Sequence, residues 1–124
     1  MVNNIDRYFL GSAIICALVA MAAGIAMGVK EDFTFVSAHA HLNLVGWVSL
    51  TLFALAYRSD IVVRDSLAVV HFFVATAGAI VLPIGIMLVV SYQQPIVAIV
   101  GSLLTIGSML IFAANFLRQR KQPV

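Results

Sequence analysis

Charged residues are scarce in this chain. Five acidic and seven basic side chains occur among 124 residues, so 10% of the residues are charged. A soluble domain of this size carries roughly a quarter charged residues. Hydrophobic residues make up 63% of the chain. This composition cannot cover a water-facing surface, which excludes a soluble enzyme, a disordered segment and a nucleic-acid-binding protein. It predicts a small integral membrane protein surrounded by lipid bilayer.

Cysteines and membrane-embedded charges are also missing. The single cysteine, Cys16, excludes an intrachain disulfide and a thiolate metal cluster. No acidic or basic residue interrupts any of the long apolar runs. Proton-coupled transporters usually place an acidic residue within the membrane, so its absence argues against that class. The ionisable groups left at depth are three histidines, His39, His41 and His71.

The apolar residues form four long runs, and each is long enough to cross a bilayer as a helix. None of them alternates in polarity as the strand of a membrane barrel does. We therefore predict an all-α membrane protein, a single four-helix transmembrane domain covering residues 1–124. Ser66 is expected to cap the third helix, Pro83 to kink it, and Pro95 to lie in the first turn of the fourth. The predicted spans are residues 8–29, 35–57, 67–92 and 95–117.

Basic residues predict the orientation of these spans. With four spans, both termini and the loop between the second and third spans lie on one side of the membrane. The basic residues of that side are Arg7, Arg58, Arg64, Arg118, Arg120 and Lys121, whereas Lys30 is the only one on the other side. The positive-inside rule then places both termini in the cytoplasm. The predicted location is the inner (cytoplasmic) membrane.

Glycines recur within the apolar runs at spacings that suit close helix packing. Gly24 and Gly28 form a GxxxG pair in the first span. Small residues matter in a membrane because lipid provides no hydrophobic force that drives helices together. We expect these residues to mark helix contacts, within one chain or between chains. The remaining candidates are Gly78, Gly85, Gly101 and Gly107.

His39 and His41 are the strongest candidates for chemistry. Two positions on a helix differ by about 200°, so the two imidazoles point in nearly opposite directions and cannot bind one small metal ion together. This spacing suits two separate centres, and haem iron accepts imidazole as an axial ligand. Asn43 and Gly46 share the His39 face, where the missing side chain of Gly46 leaves room for a flat macrocycle. The competing interpretation is that both histidines are buried and merely hydrogen-bonded.

The motif HAHLNLVGW at residues 39–47, together with the four spans, resembles the haem–copper oxidase superfamily. The chain is similar to one third of the twelve-helix catalytic subunit, which implies an arc of four helices and a homotrimer. The resemblance implies that His39 of one chain and His41 of the next are the axial ligands of a shared haem b. Asn43 and Gly46, on the His39 face, are expected beside this cofactor, and Trp47 either packs edge-on against the macrocycle or fills a gap between helices. The implied function is electron transfer or redox sensing, with quinol or another redox partner.

Copper-dependent oxygen reduction is not part of this expectation, and whether the protein is an enzyme stays open. The active oxidases bind copper through three further histidines on two other helices, and only His71 remains here. We expect His71 about 15–20 Å from His41 along the membrane normal, too far to join the same centre. It is predicted to be an interfacial histidine, hydrogen-bonded near Arg64 and Asp65 or facing headgroups. The alternatives for His71 are a second haem or a quinone headgroup.

Two further functions stay open from the sequence. Equivalent histidines from several chains would form a copper or zinc site at a symmetry axis, because imidazole suits both metals. Alternatively, the chain is a non-catalytic membrane scaffold or permease whose histidines bond across helices.

Overall fold

The structure, a computed structural model, describes residues 1–119 and contains four long helices in that range. A 3₁₀ turn, Val2–Asn4, precedes the first of them. Each helix is long and apolar enough to cross a membrane, which agrees with the prediction of an all-α chain with four such helices. Arg120 and Lys121, which were counted for the orientation, lie outside the described residues. The helices are α1 (Ile5–Lys30), α2 (Val36–Arg58), α3 (Ser66–Tyr92) and α4 (Ile96–Gln119).

The start of α3 differs from the prediction, because Asp65 and not Ser66 is the N-cap. The Asp65 carboxylate accepts hydrogen bonds from the backbone N–H groups of Leu67 (2.9 Å) and Ala68 (3.4 Å). A carboxylate both satisfies these otherwise unpaired donors and carries negative charge at the positive end of the helix dipole. Ser66 is therefore the first helical residue.

Helix α2 changes its winding along its length. Val36–His41 is α-helical, Leu42–Ser49 is a π-helix, and Leu50–Arg58 is α-helical again. In a π-helix each N–H bonds to the carbonyl five residues back, so the turns are wider than in an α-helix. Angular positions calculated at 100° per residue therefore do not hold beyond Leu42. Such segments are rare and occur frequently at functional sites.

Glycines bring α3 and α4 into backbone contact, as the sequence predicts. A Cβ atom added to Gly85 would lie 2.3 Å from the backbone nitrogen of Ala98, and one on Gly101 would lie 2.5 Å from the Cα atom of Leu82. Neither position has space for any side chain. Gly78 is also tight, whereas a Cβ on Gly107 would be 4.0 Å from its nearest neighbour. Gly28 in α1 also has free space beside it, because an added Cβ would meet nothing within 4 Å.

The two ends of the bundle are packed differently. At one end the start of α1, the end of α2, the start of α3 and the end of α4 meet around His71; we call this the His71 end. Its buried side chains include Ile5, Phe9, Phe53 and Tyr57. At the opposite end, which we call the His39 end, the last turns of α1 and the first turns of α2 pack near the half of α3 that contains Pro83 and Met87.

Candidate ligand site at His39 and His41

His39 lies half-buried between α2 and α1. Its imidazole packs directly against the backbone of Gly24, where an added Cβ would be 2.9 Å from the ring atom Cε1. The absence of a side chain at Gly24 is therefore what lets the ring lie against α1. Within one chain, Gly24 of the predicted GxxxG pair therefore makes the contact between α1 and the His39 ring.

Hydrogen bonds determine which nitrogen of His39 carries the proton. The side-chain amide nitrogen of Asn43 lies 3.3 Å from the carbonyl oxygen of His39, which only accepts hydrogen bonds. The same NH₂ group lies 3.2 Å from His39 Nε2. Nε2 therefore accepts, and the ring proton is on Nδ1. His39 Nδ1 is buried and has no hydrogen-bond partner within the described residues.

His41 has the same tautomer but a different environment. Its Nδ1 lies 2.8 Å from the carbonyl oxygen of Ser37, so Nδ1 donates and Nε2 keeps its lone pair. The ring is half-buried and lines neither of the two grooves described below. Metal-binding histidines commonly donate their second ring N–H to a backbone carbonyl, which fixes the tautomer and the ring orientation. His41 has this arrangement.

His39 lines a groove between α1, α2 and α3, which we call the His39 groove. Its volume of about 440 Å³ lies within the range of small-molecule sites. The walls are mainly aliphatic, and Met27 and Met87 contribute thioethers. Lys30 and Asp32 are its charged residues. The hydroxyl and the backbone N–H of Thr34 donate to the Asp32 carboxylate, which lowers the pKa of that carboxyl.

Asn43 and Trp47 line a second groove, which we call the Trp47 groove. Its volume is about 290 Å³, and the apolar residues that complete it lie on α1. The sequence placed these two residues beside the same cofactor as His39. Within one chain they instead line the opposite flank of the contact between α1 and α2. Asn43 connects the two grooves, because its amide reaches the His39 ring.

Gly46 lies between the grooves and corrects one expectation. We expected its missing side chain to leave room for a macrocycle. The structure places Cys16 of α1 there, with its Cβ atom 2.8 Å from the position of an added Cβ. Gly46 is buried and serves the contact between α1 and α2. A cofactor therefore has no space at this point within one chain.

The prediction that His71 faces headgroups or is hydrogen-bonded near Arg64 and Asp65 is wrong. The residue is 0% exposed, because the ends of α1, α2 and α4 surround the start of α3. The rings of Phe9, Phe53 and Phe112 have centroids within 5.7 Å of its ring. They fill the space that a haem or quinone headgroup would need. The expected partner Arg64 instead donates from Nε to the carbonyl oxygen of Tyr57, at 2.7 Å.

His71 belongs to a chain of hydrogen bonds that begins at Arg118. Arg118 can only donate, so its Nη1 bonds to Asn115 Oδ1 at 3.3 Å. The Asn115 NH₂ group then donates to the hydroxyl of Tyr57 at 3.0 Å. That hydroxyl is also hydrogen-bonded to His71 Nδ1, at 2.9 Å. Arg118 Nη2 also pairs with Asp65 Oδ2 at 2.6 Å.

The sequence alone does not predict this chain of hydrogen bonds, because Tyr57, His71 and Asn115 lie on three different helices. The available signal was Asn115, an amide near the end of the fourth apolar run. A buried amide in lipid needs a hydrogen-bonding partner.

No family model, curated protein or solved structure matches this chain. Within residues 1–119, no group of three or more histidine, cysteine, aspartate or glutamate side chains is arranged to hold a metal ion.

Proposed function

We propose that the protein is a b-type haem-binding membrane protein related to the haem–copper oxidases, acting in electron transfer or redox sensing. His39 of one chain and His41 of a neighbouring chain would be the axial ligands. One observation carries the proposal: both histidines have the tautomer that leaves Nε2 as the ligand atom, yet they face different surroundings. A bis-imidazole haem changes between ferric and ferrous states without an open position for substrate.

The residues present fit such a group. The His39 groove is largely apolar, and its volume of about 440 Å³ suits a small-molecule ligand. Lys30 in the same groove provides a cation for a carboxylate group of the bound molecule. The buried Nδ1–H of His39 keeps the lone pair of that ring on Nε2, where coordination requires it.

A shared site requires at least two chains, because His41 does not line the groove of its own chain. Repeating one heterologous contact closes a ring, so we propose a homotrimer in which each four-helix chain forms one arc. Both termini would be cytoplasmic and the membrane would be the inner membrane. A lipid-soluble quinol or another redox protein would exchange electrons with the site.

The test is an optical spectrum of the purified protein in detergent, recorded oxidised and reduced. We expect sharp paired reduced bands in the natural protein and their loss in both His39→Ala and His41→Ala. His71→Gln keeps a hydrogen-bonding side chain beside Tyr57 and should retain the bands. Retained haem in either single alanine variant would contradict the shared ligation.

Two other outcomes identify the competing functions. Colourless protein with stoichiometric copper or zinc would favour a metal site built from equivalent histidines of several chains. Colourless and metal-free protein, with stability unchanged when both histidines are replaced, would favour a scaffold or permease.

A further inference from the structure

We propose that Asn43 is a gate on His39, and that its side-chain amide must leave Nε2 before a ligand coordinates there. The identity of that ligand, haem iron, rests on the proposed function. The gate itself rests on hydrogen bonds within the chain. Asn43 acts through His39, so it is a positioning residue and not a ligand.

The gate follows from the number of lone pairs on the ring. The Nδ1–H tautomer of His39 has one acceptor position in the ring plane, at Nε2. The Asn43 amide nitrogen, 3.2 Å away, occupies that position with one of its hydrogens. The same nitrogen contacts the His39 carbonyl oxygen at 3.3 Å, which holds the amide in this orientation. A metal centre and the amide hydrogen compete for the same electron pair.

The amide has somewhere to go when it leaves. Asn43 also lines the Trp47 groove, which offers about 290 Å³ on the other flank of the contact between α1 and α2. Rotation of the side chain further into this groove would remove the amide hydrogen from His39 Nε2. The position of the Asn43 amide therefore connects the Trp47 groove to the availability of His39 Nε2.

His41 provides an internal control. Asn43 lies four positions after His39, whereas the residue four positions after His41 is Val45, which has no side-chain donor. The hydrogen bond of His41 is made by Nδ1 to Ser37 and leaves Nε2 uncovered by its own helix. Removal of the Asn43 amide should make the Nε2 lone pair of His39 more available and leave that of His41 unchanged.

Two variants of nearly equal shape separate a gate from a packing role. Asn43→Leu removes the donor, so hemin titrated into the haem-free protein in detergent should bind about fivefold tighter, the equivalent of one hydrogen bond. Asn43→Asp should bind hemin about fivefold more weakly, because a protonated carboxyl caps Nε2 and an ionised one favours a proton there. Changes in the same direction, or none, would overturn the gate.

A second measurement does not depend on haem. Diethyl pyrocarbonate acylates the free lone pair of imidazole, and mass spectrometry reports the rate at each histidine. His39 should react about fivefold faster in Asn43→Leu, with His41 unchanged. An unchanged rate at His39 would overturn the gate. If the natural protein binds no hemin while the His39 rate rises, the proposed function fails and the gate stands. If hemin binds equally to all three proteins, the gate fails and the function stands.

Discussion

The His71 end and the His39 end use the same residue type in opposite ways. His71 is fully buried, and its Nδ1 is hydrogen-bonded to Tyr57 at the end of a chain of hydrogen bonds that begins at Arg118. His39 and His41 are only half-buried, and their Nε2 atoms have the lone pair that a metal needs. Burial and the hydrogen-bonding partners of the ring, not the presence of histidine, therefore distinguish a structural position from a ligand candidate.

The difference arises from how many helices cover each histidine. At the His71 end all four helices contribute, since α4 brings Phe112 and Asn115 against side chains of α2. At the His39 end, α4 contributes no side chain to either groove. Two grooves consequently remain beside α1 at that end.

The largest effect is expected from Tyr57→Phe. This change keeps the ring that stacks on Phe9 but removes the hydroxyl that bridges Asn115 and His71. Two buried polar groups lose their partner, so the free energy of unfolding should fall by about 1–3 kcal/mol. Denaturation by sodium dodecyl sulfate in mixed micelles measures this, and the haem content of the folded protein should not change.

Tyr8→Phe is the matched control, because Tyr8 is 47% exposed and its ring packs against that of Phe72. Its free energy of unfolding should change by less than about 0.5 kcal/mol. Equal losses in the two variants would show that the hydroxyl of Tyr57 has no special role.

A smaller effect is expected at the His39 end from Gly24→Ala. The added Cβ would lie 2.9 Å from His39 Cε1, so the ring must shift from its present position. We expect about tenfold weaker hemin binding, because a displaced ligand loses its alignment. Gly28→Ala in the same helix meets nothing within 4 Å and should bind hemin like the natural protein. Equal hemin binding by both variants would show that the position of the His39 ring does not affect the site.

The smallest effect is expected from Arg118→Ala. Arg118 pairs with Asp65 at 2.6 Å, but about half of its side chain is exposed to solvent. Exposed ion pairs contribute little, so the free energy of unfolding should fall by about 0.5–1 kcal/mol, and less at high salt. A loss as large as that of Tyr57→Phe would mean that the hydrogen bonds between Asn115, Tyr57 and His71 depend on the charge of Arg118.

The helices were predictable from sequence because lipid imposes a minimum apolar length and charged residues mark the ends. The first span, predicted from Tyr8, begins at Ile5, and the third, predicted from Leu67, begins at Ser66. The close approach of α3 and α4 was equally visible, because Gly85 and Gly101 lie in long apolar runs.

The details of the site were not predictable in the same way. The π-helical segment Leu42–Ser49 changes the direction of every side chain after it, and no residue type in the sequence predicts it. The contact of Gly46 with Cys16 depends on the register between α1 and α2, which local patterns do not determine. His71 was misplaced because its burial depends on residues from three other helices, far apart in sequence.

The central claim is that two chains share one haem, and co-expression of His39→Ala and His41→Ala chains tests it most directly. Neither variant alone should bind haem. In mixed oligomers, a chain that retains His39 can lie beside one that retains His41. Random mixing in equal amounts should restore about one quarter of the natural haem content, as one ordered neighbour pair in four has both ligands. Absence of haem in the mixed oligomers, measured by reduced-minus-oxidised absorbance, would contradict the account.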